Sequence, residues 1–193
     1  VAQNSVSRSK DRRASQTEIY AELPVGYAEY KGTPPVRAEN AVGTNAAVGF
    51  GTGGKSDDGS WMKLNVINVA NACEAYTAIR FNQAHCDRNH SIFGSSSVEL
   101  TRLINCDYGL LDWQYSSLAL RKARWTLDGA VVNPLDRSHP LGDKWHVVSF
   151  ASSAKTYVNL LAHNRINQNE NWGGVEIGEL IVFDEPLSSS DRT

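Results

Sequence analysis

Short apolar runs with a two-residue period constrain this chain more than any other feature. In residues 61–69, for example, Met62, Leu64 and Val66 alternate with Lys63 and other residues, as in a strand with one buried face. We count roughly ten such runs, separated by Gly, Asp and Asn turns, and no stretch with a sustained helical period. This pattern predicts an all-β fold, an antiparallel two-sheet jelly-roll sandwich.

The clearest turn signal lies between two apolar flanks in the second half of the chain. Asp128-Gly129 predicts a hairpin, because a type I′ turn needs positive φ at both central residues. The first strand of this hairpin is expected within residues 117–127 and the second at Val131-Val132. The two strands should pair antiparallel.

Residues 145–165 predict two more strands on either side of a small-residue turn near residues 153–155. Apolar residues occur at both parities in each strand, which is typical of strands near the centre of a sheet. These residues are Val147 and Val148 in the first strand and Leu160 and Leu161 in the second.

The run 175–183 is also apolar at both parities. Under strict alternation, one face carries Val175, Ile177, Ile181 and Phe183, and the other carries Leu180 and Val182. We therefore expect a central strand that is buried on both sides. Pro186 then ends the strand because it lacks a backbone donor, and residues 188–191 supply N-cap oxygens for a short helix.

The length and composition predict one domain and an arm. The chain has 193 residues, of which 41% are hydrophobic, and this is enough for one domain with a substantial core. Residues 1–17 are polar and basic, which predicts an extended polar arm held by a neighbouring subunit. Residues 18–193 then form a single jelly-roll β-sandwich domain. Because the first residue is Val1 rather than Met, we expect a processed or excised piece.

The charge balance argues against two classes of partner. A net charge of −2 predicts no broad attraction to nucleic acid or to an anionic membrane. Apolar runs stay well short of the roughly 18 residues that a membrane helix needs, so no membrane insertion is expected.

The cysteines leave two alternatives open. Cys73, Cys86 and Cys106 are odd in number and lack metal-finger spacing, and His85 and His90 are too irregular to suggest zinc. Buried or free thiols are the simpler interpretation. One disulfide with a thiol left over, able to pair with another chain, is the alternative.

Two stretches of the second half carry a family resemblance. The strand Trp145-His146-Val147-Val148 is followed, after a strand, a turn and a Gly/Asn loop, by residues 174–188, GVEIGELIVFDEPLS. From about Ser91 to the end, the chain resembles the concanavalin A-like, laminin G-like jelly-roll superfamily. The resemblance implies that the last strand lies inside a sheet and that Leu187 plugs the core. It does not select one function, because this fold hosts lectins, glycosidases, adhesion modules and structural virion proteins.

The sequence argues against catalysis. A glycosidase of this superfamily resembles the family-16 type and carries alternating carboxylates on one face of a strand, whereas Glu176 and Glu179 differ in parity. No serine elbow or Ser/His/Asp arrangement is recognisable. His146 is interpreted as a hydrogen-bonded structural residue. We therefore expect no enzyme.

The resemblance implies two kinds of binding site on loops. A calcium ion is an optional cofactor, with Asp57 and Asp58 as metal ligands and further oxygens at Asn167, Asn169 and Glu170. Carbohydrate recognition would use aromatic platforms flanked by amides, for which the candidates are Trp113, Tyr115, Asn169 and Trp172. The remaining tryptophans, Trp61, Trp125 and Trp145, are assigned to the core.

Two functional hypotheses follow. The first is a noncatalytic lectin-like binding or adhesion module that recognises glycans at a cell or particle surface. The second is a structural subunit of a larger assembly, such as a virion surface or decoration protein, whose N-terminal arm docks on neighbouring chains. Both predict a glycan or another protein chain as partner, membership of an oligomer, and an extracellular or particle-surface location.

Overall fold

The computed structural model describes residues 16–20, 28–32, 36–42, 45–51, 60–64, 72–81, 89–90, 92–94, 103–104, 110–111, 116–136, 141, 143–156, 160–162 and 174–192. Most of them are in antiparallel strands, so the predicted all-β class is confirmed. The strands are β1 (Gln16–Tyr20), β2 (Ala28–Gly32), β3 (Val36–Val42), β4 (Asn45–Gly49), β5 (Ser60–Leu64), β6 (Ala72–Phe81), β7 (Asn89–His90), β8 (Phe93–Gly94), β9 (Leu103–Ile104), β10 (Arg124–Leu127), β11 (Ala130–Val132), β12 (His146–Thr156), β13 (Leu160–Leu161) and β14 (Val175–Phe183).

One large sheet dominates the molecule. Its eight strands run in the order β11-β10-β12-β6-β14-β4-β3, and β1 also pairs with β14. The four-stranded sheet β2-β5-β13-β8 and the pair β7-β9 complete the described strands. The predicted central positions of β12, β13 and β14 are confirmed, because each lies between two neighbours.

One face of the large sheet carries the core. Trp125, Phe150, Ala75 and Val182 lie side by side across β10, β12, β6 and β14, and all four are buried. Residues of the smaller sheet belong to the same buried cluster: Phe93 packs edge-on against Phe150, with ring centroids 6.3 Å apart. The small sheet thus contributes apolar area to the core of the large one. The jelly-roll sandwich stays a prediction.

A β-bulge changes the expected facing of β14. Ile177 pairs with Ile79 and Glu179 with the next residue, Ala78, so Gly178 is an extra residue in this ladder. Without Gly178 the strand reads V-E-I-E-L-I-V-F, in which Val175, Ile177, Leu180 and Val182 occupy every second position. Val175, Ile177, Leu180 and Val182 therefore all join one core cluster, and the prediction that Leu180 and Val182 face away from Val175 and Ile177 is wrong.

The hairpin around Asp128-Gly129 is confirmed. Both residues have positive φ, 50° and 82°, and they join β10 to β11. The strand expected over residues 117–127 is shorter than predicted, because α1 (Leu118–Arg121) forms one helical turn capped by the Ser117 hydroxyl. Packing explains the difference, since the helical turn buries Leu120 and presents its carbonyl oxygen to the indole N–H of Trp125 at 2.9 Å.

The turn expected near residues 153–155 is wrong. β12 continues through Ser153, Ala154 and Lys155 to Thr156, with an irregular register between Ala151 and Thr156. The small residues Ser153 and Ala154 therefore lie where the pairing register is irregular, and the chain does not reverse there. Although β12 is central in the sheet, its two faces are unequally buried, because Val147 is 48% exposed.

The first and the last described segments contact β14 and β6, respectively. β1 begins at Gln16, two residues inside the stretch assigned to the arm, and pairs with β14. Residues 1–15 lie outside the described residues. At the other end, the predicted short helix is present as a 3-10 turn, Ser189–Arg192. Leu187 is only half-buried and does not join the core cluster.

Candidate functional site

The residues selected from the sequence as binding sites all lie in parts of the chain that the structure does not describe. These are the carbohydrate candidates Trp113, Tyr115, Asn169 and Trp172, the metal candidates Asp57 and Asp58, and the supporting oxygens of Asn167 and Glu170. Their roles stay predictions.

The face of the large sheet that points away from the core, here called the outer face, carries most of the described polar side chains of that sheet. Register places Glu74, Tyr76, Ala78 and Arg80 of β6 on this face, because Ala75, Ile79 and Phe81 between and beyond them lie in the core. The polar and aromatic side chains of β6 therefore lie on the face of the sheet opposite the core.

Three residues at one end of the outer face form a contiguous group, the outer-face cluster: Arg80, Trp145 and Glu176. The guanidinium of Arg80 lies 5.2 Å from the ring centroid of Trp145, which is within cation–π range. Nε and Nη2 of Arg80 both donate to Oε2 of Glu176, the first at 2.9 Å. Trp145 is thus half-buried on the outer face, and its assignment to the core is wrong.

Neighbouring strands hold the cluster in place. Glu176 is the direct cross-strand partner of Arg80, so their side chains emerge side by side. Trp145 immediately precedes β12, whose first residue His146 pairs with Ile79, next to Arg80. Three segments therefore supply the cluster: β6, β14 and the residue that leads into β12.

The cluster keeps one donor and one acceptor directed to solvent. The side chains of Arg80 and Glu176 are 37% and 31% exposed. Within the described part of the chain, Nη1 of Arg80 and Oε1 of Glu176 make no hydrogen bond. A donor and an acceptor on a partly exposed ion pair beside an indole ring form a small site that can hydrogen-bond a hydroxylated ligand without displacing the ion pair.

The bulge at Gly178 also changes the facing of the second glutamate. Glu176 pairs with Arg80 and Glu179 pairs with Ala78, and residues 78 and 80 share the outer face. The expectation that Glu176 and Glu179 lie on opposite faces is therefore wrong. Strict alternation failed because Gly178 adds one residue on β14 only.

A second polar group occupies the other end of the outer face, around Glu74. Oε1 of Glu74 accepts from the Tyr76 hydroxyl at 2.6 Å and from Nε of Arg192 at 2.8 Å. Oε2 accepts from the backbone N–H of Leu187 at 3.0 Å and from Nη2 of Arg192 at 2.8 Å. The carboxylate is 1% exposed, and these four hydrogen bonds compensate its burial.

Titration of the Glu74 group follows from these contacts. Burial alone would raise the pKa of Glu74, but the hydrogen bonds from Arg192, Tyr76 and Leu187 outweigh it and hold the pKa below its usual value. Burial and the hydrogen bond to Glu74 raise the pKa of Tyr76 to about 12. Glu74 is therefore ionised and fully hydrogen-bonded at neutral pH, which suits a structural role better than proton transfer.

The carboxylate of Asp128 stabilises the hairpin turn. It accepts from the backbone N–H of Val147 at 2.8 Å, and its second oxygen lies 2.8 Å from Nδ1 of His146. Burial opposes ionisation of Asp128, but the contacts with His146 and Val147 outweigh this effect and lower its pKa. His146, interpreted from the sequence as a hydrogen-bonded structural residue, makes this contact from the first position of β12.

Cysteine and metal chemistry are only partly described. Cys73 is a free, buried thiol whose pKa is raised chiefly by burial, whereas Cys86 and Cys106 fall in undescribed stretches. Among the residues with described positions, no group of three or more His, Cys, Asp or Glu side chains is arranged to hold a metal ion.

In the same part of the chain, no helix is long and apolar enough to cross a membrane.

Comparisons with known proteins provide no family. No family model, curated protein or solved structure matches the chain. The functional argument therefore depends on the residues themselves.

Sequence reasoning missed the outer-face cluster for a specific reason. The alternation in β6 marks Arg80 as facing the same side as Glu74 and Tyr76. What the alternation does not reveal is that Glu176 and Trp145, 96 and 65 residues away along the chain, flank Arg80. Only strand pairing brings the three together.

Proposed function

We propose that the protein is a noncatalytic, lectin-like binding module and that the outer-face cluster contacts a neutral glycan. The observation that carries this proposal is the partly exposed ion pair of Arg80 and Glu176 beside the Trp145 indole, in which Nη1 and Oε1 make no hydrogen bond to the described residues. Vicinal hydroxyls of a sugar match such a pair, because one hydroxyl accepts from Nη1 while its neighbour donates to Oε1. The apolar face of the sugar ring packs against the aromatic side chain.

The proposed location is a cell or particle surface, where glycans are displayed. The loop residues Trp113, Tyr115, Asn169 and Trp172 are proposed as additional contacts and Asp57 and Asp58 as optional calcium ligands, on the basis of the superfamily resemblance alone. The jelly-roll sandwich belongs to the same proposal. It is supported by the joint core of the two larger sheets.

A glycan array followed by calorimetric titration tests this function. Arg80→Gln and Glu176→Gln each remove a charge-assisted contact, so we expect affinity for the selected glycan to fall about tenfold or more. Glu179→Gln is the matched control, because Glu179 lies on the same strand and outer face and is exposed. Equal affinity of all three variants and the unmodified protein would exclude the cluster as the binding site, and a blank array would remove the proposal.

A structural subunit of a larger assembly is the alternative, and one observation favours it. The outer face and its edge strand expose Val131 and Val147, which are 62% and 48% accessible. A partner chain packed on this face would bury both side chains. Light scattering coupled to size exclusion, on the full chain and on a chain lacking residues 1–15, tests it. Self-association that requires residues 1–15 would support an assembly arm, and two monomers would remove this alternative.

A further inference from the structure

Glu74 and its neighbours form a binding site that is occupied by a side chain of the same protein. The ligand is the guanidinium of Arg192, which meets the carboxylate through two parallel hydrogen bonds, both 2.8 Å long. The two residues are 118 positions apart. Arg192 belongs to residues 187–192, here called the C-terminal strap, which leaves β14 and turns back over the end of β6.

The walls of this site are provided by the sheet. Tyr76 donates its hydroxyl to the carboxylate and packs edge-on against Phe183, with ring centroids 6.3 Å apart. Ala151 and Phe183 are the cross-strand neighbours of Glu74, and neither is charged. Glu74 thus faces an aromatic and apolar wall on the sheet side, where a carboxylate is not solvated.

Among the residues with described positions, Arg192 is the cation that contacts Glu74. Along the same row, Arg124 of β10 is separated from Glu74 by Ala151. On the strap, Asp191 accepts from the Ser188 hydroxyl at 2.6 Å. Asp184 and Glu185, which lead into the strap, are acidic and do not neutralise a carboxylate.

We propose that Glu74 and Tyr76 form a guanidinium-binding socket on the outer face, which the C-terminal strap fills with Arg192 and thereby closes. The planar fork of a guanidinium satisfies both carboxylate oxygens at once, which an ammonium group does not do. When Arg192 is removed, the buried carboxylate loses its counter-charge, so the empty socket either takes up another guanidinium or becomes hydrated as the strap lifts. The Leu187 N–H, which donates to the same carboxylate, reports whether the strap is attached.

Chemical rescue of Arg192→Ala tests the socket. Hydrogen exchange of the Leu187 amide is measured by NMR, and the carboxyl carbon resonance of Glu74 is followed through a pH titration. We expect exchange at Leu187 to accelerate about tenfold and the pKa of Glu74 to rise, since the charge-assisted contacts are lost. Guanidinium chloride far below denaturing concentrations should reverse both effects, whereas sodium chloride and methylammonium chloride at equal ionic strength should not.

Two further variants separate the socket from general effects of charge. Arg192→Lys keeps the charge but loses the fork, and we expect it to resemble Arg192→Ala more than the unmodified protein. Arg124→Ala removes an exposed arginine from the same row of the outer face and should leave exchange at Leu187 unchanged. Unchanged exchange in Arg192→Ala, or equal rescue by sodium and guanidinium, would overturn the proposal.

These measurements use no glycan, so the socket stands or fails independently of the proposed function. The core carries none of the altered groups, because Arg192 is on an exposed 3-10 turn. Loss of glycan binding with an intact socket would concern only the outer-face cluster, and failed rescue with intact glycan binding would concern only the strap.

Discussion

Deletion of Gly178 is the sharpest test of how β14 is placed in the sheet. Gly178 is the extra residue opposite the Ala78–Ile79 step of β6, and without it the core residues of the strand occupy every second position. The deletion therefore joins two segments that are already in matching register. Deletion of Ile181, three residues further on, is the matched control, because it shortens the same strand by one residue outside the bulge.

The two deletions differ in which side chains change face. Removing Gly178 moves no apolar side chain out of the core, so we expect a loss below about 1.5 kcal/mol, the scale of one ladder hydrogen bond. Removing Ile181 turns Val182 out of the core, which costs about 1.5–3 kcal/mol, and turns Phe183 in. Inserting the larger ring into a packed core adds about 1–3 kcal/mol. The sum is a large share of the roughly 5–15 kcal/mol that stabilises a typical domain.

Urea unfolding followed by tryptophan fluorescence measures both costs on the same scale. We expect the midpoint of the Gly178 deletion to stay near that of the unmodified chain and the Ile181 deletion to unfold at much lower urea or to fail to fold. A Gly178 deletion as damaging as the Ile181 deletion would show that Gly178 does not act as a bulge.

Three further predictions concern the interior and the acid side of the stability curve. Thr77→Val should be neutral or stabilise by about 1 kcal/mol in urea unfolding, because the Thr77 hydroxyl is buried without a hydrogen bond, whereas Thr126→Val should destabilise since its hydroxyl bonds Ser149. Trp125→Phe should cost about 2 kcal/mol, from the lost bond to the Leu120 carbonyl and a residual cavity, and a cost near zero would contradict the described packing. The pKa values of Glu74 and Asp128 are lowered in the folded state, so their contributions are complete above about pH 5, where both carboxyls are also ionised in the unfolded chain, and are lost as the pH falls through the folded values. Glu74→Gln and Asp128→Asn should therefore each flatten the acid limb of stability measured against pH, and an unchanged limb would contradict the contacts.

The hairpin and the helical turn before it show how much structure local sequence signals can predict. Asp128-Gly129 predicted its turn correctly because positive φ at two adjacent positions is a local requirement that few residue pairs meet. Residues 118–121 were assigned to a strand and form a helical turn instead. Their conformation is decided by contacts with Trp125 and β12, which lie outside any local window.

The sequence by itself determined the all-β class, the central position of β14 and the burial of Trp125, because two-residue periodicity and apolar content are properties of each segment alone. Tertiary structure decided the rest. Gly178 is recognisable as the extra residue of β14 only from the pairing of β14 with β6. The same pairing places Glu176 beside Arg80. Trp145 lies on the outer face, where the guanidinium of Arg80 contacts its ring. The burial of Glu74 is compensated by Arg192, which is 118 residues away along the chain. Alternation along a strand indicates which residues share a face, but the side chains that this face contacts are determined only by pairing with distant strands.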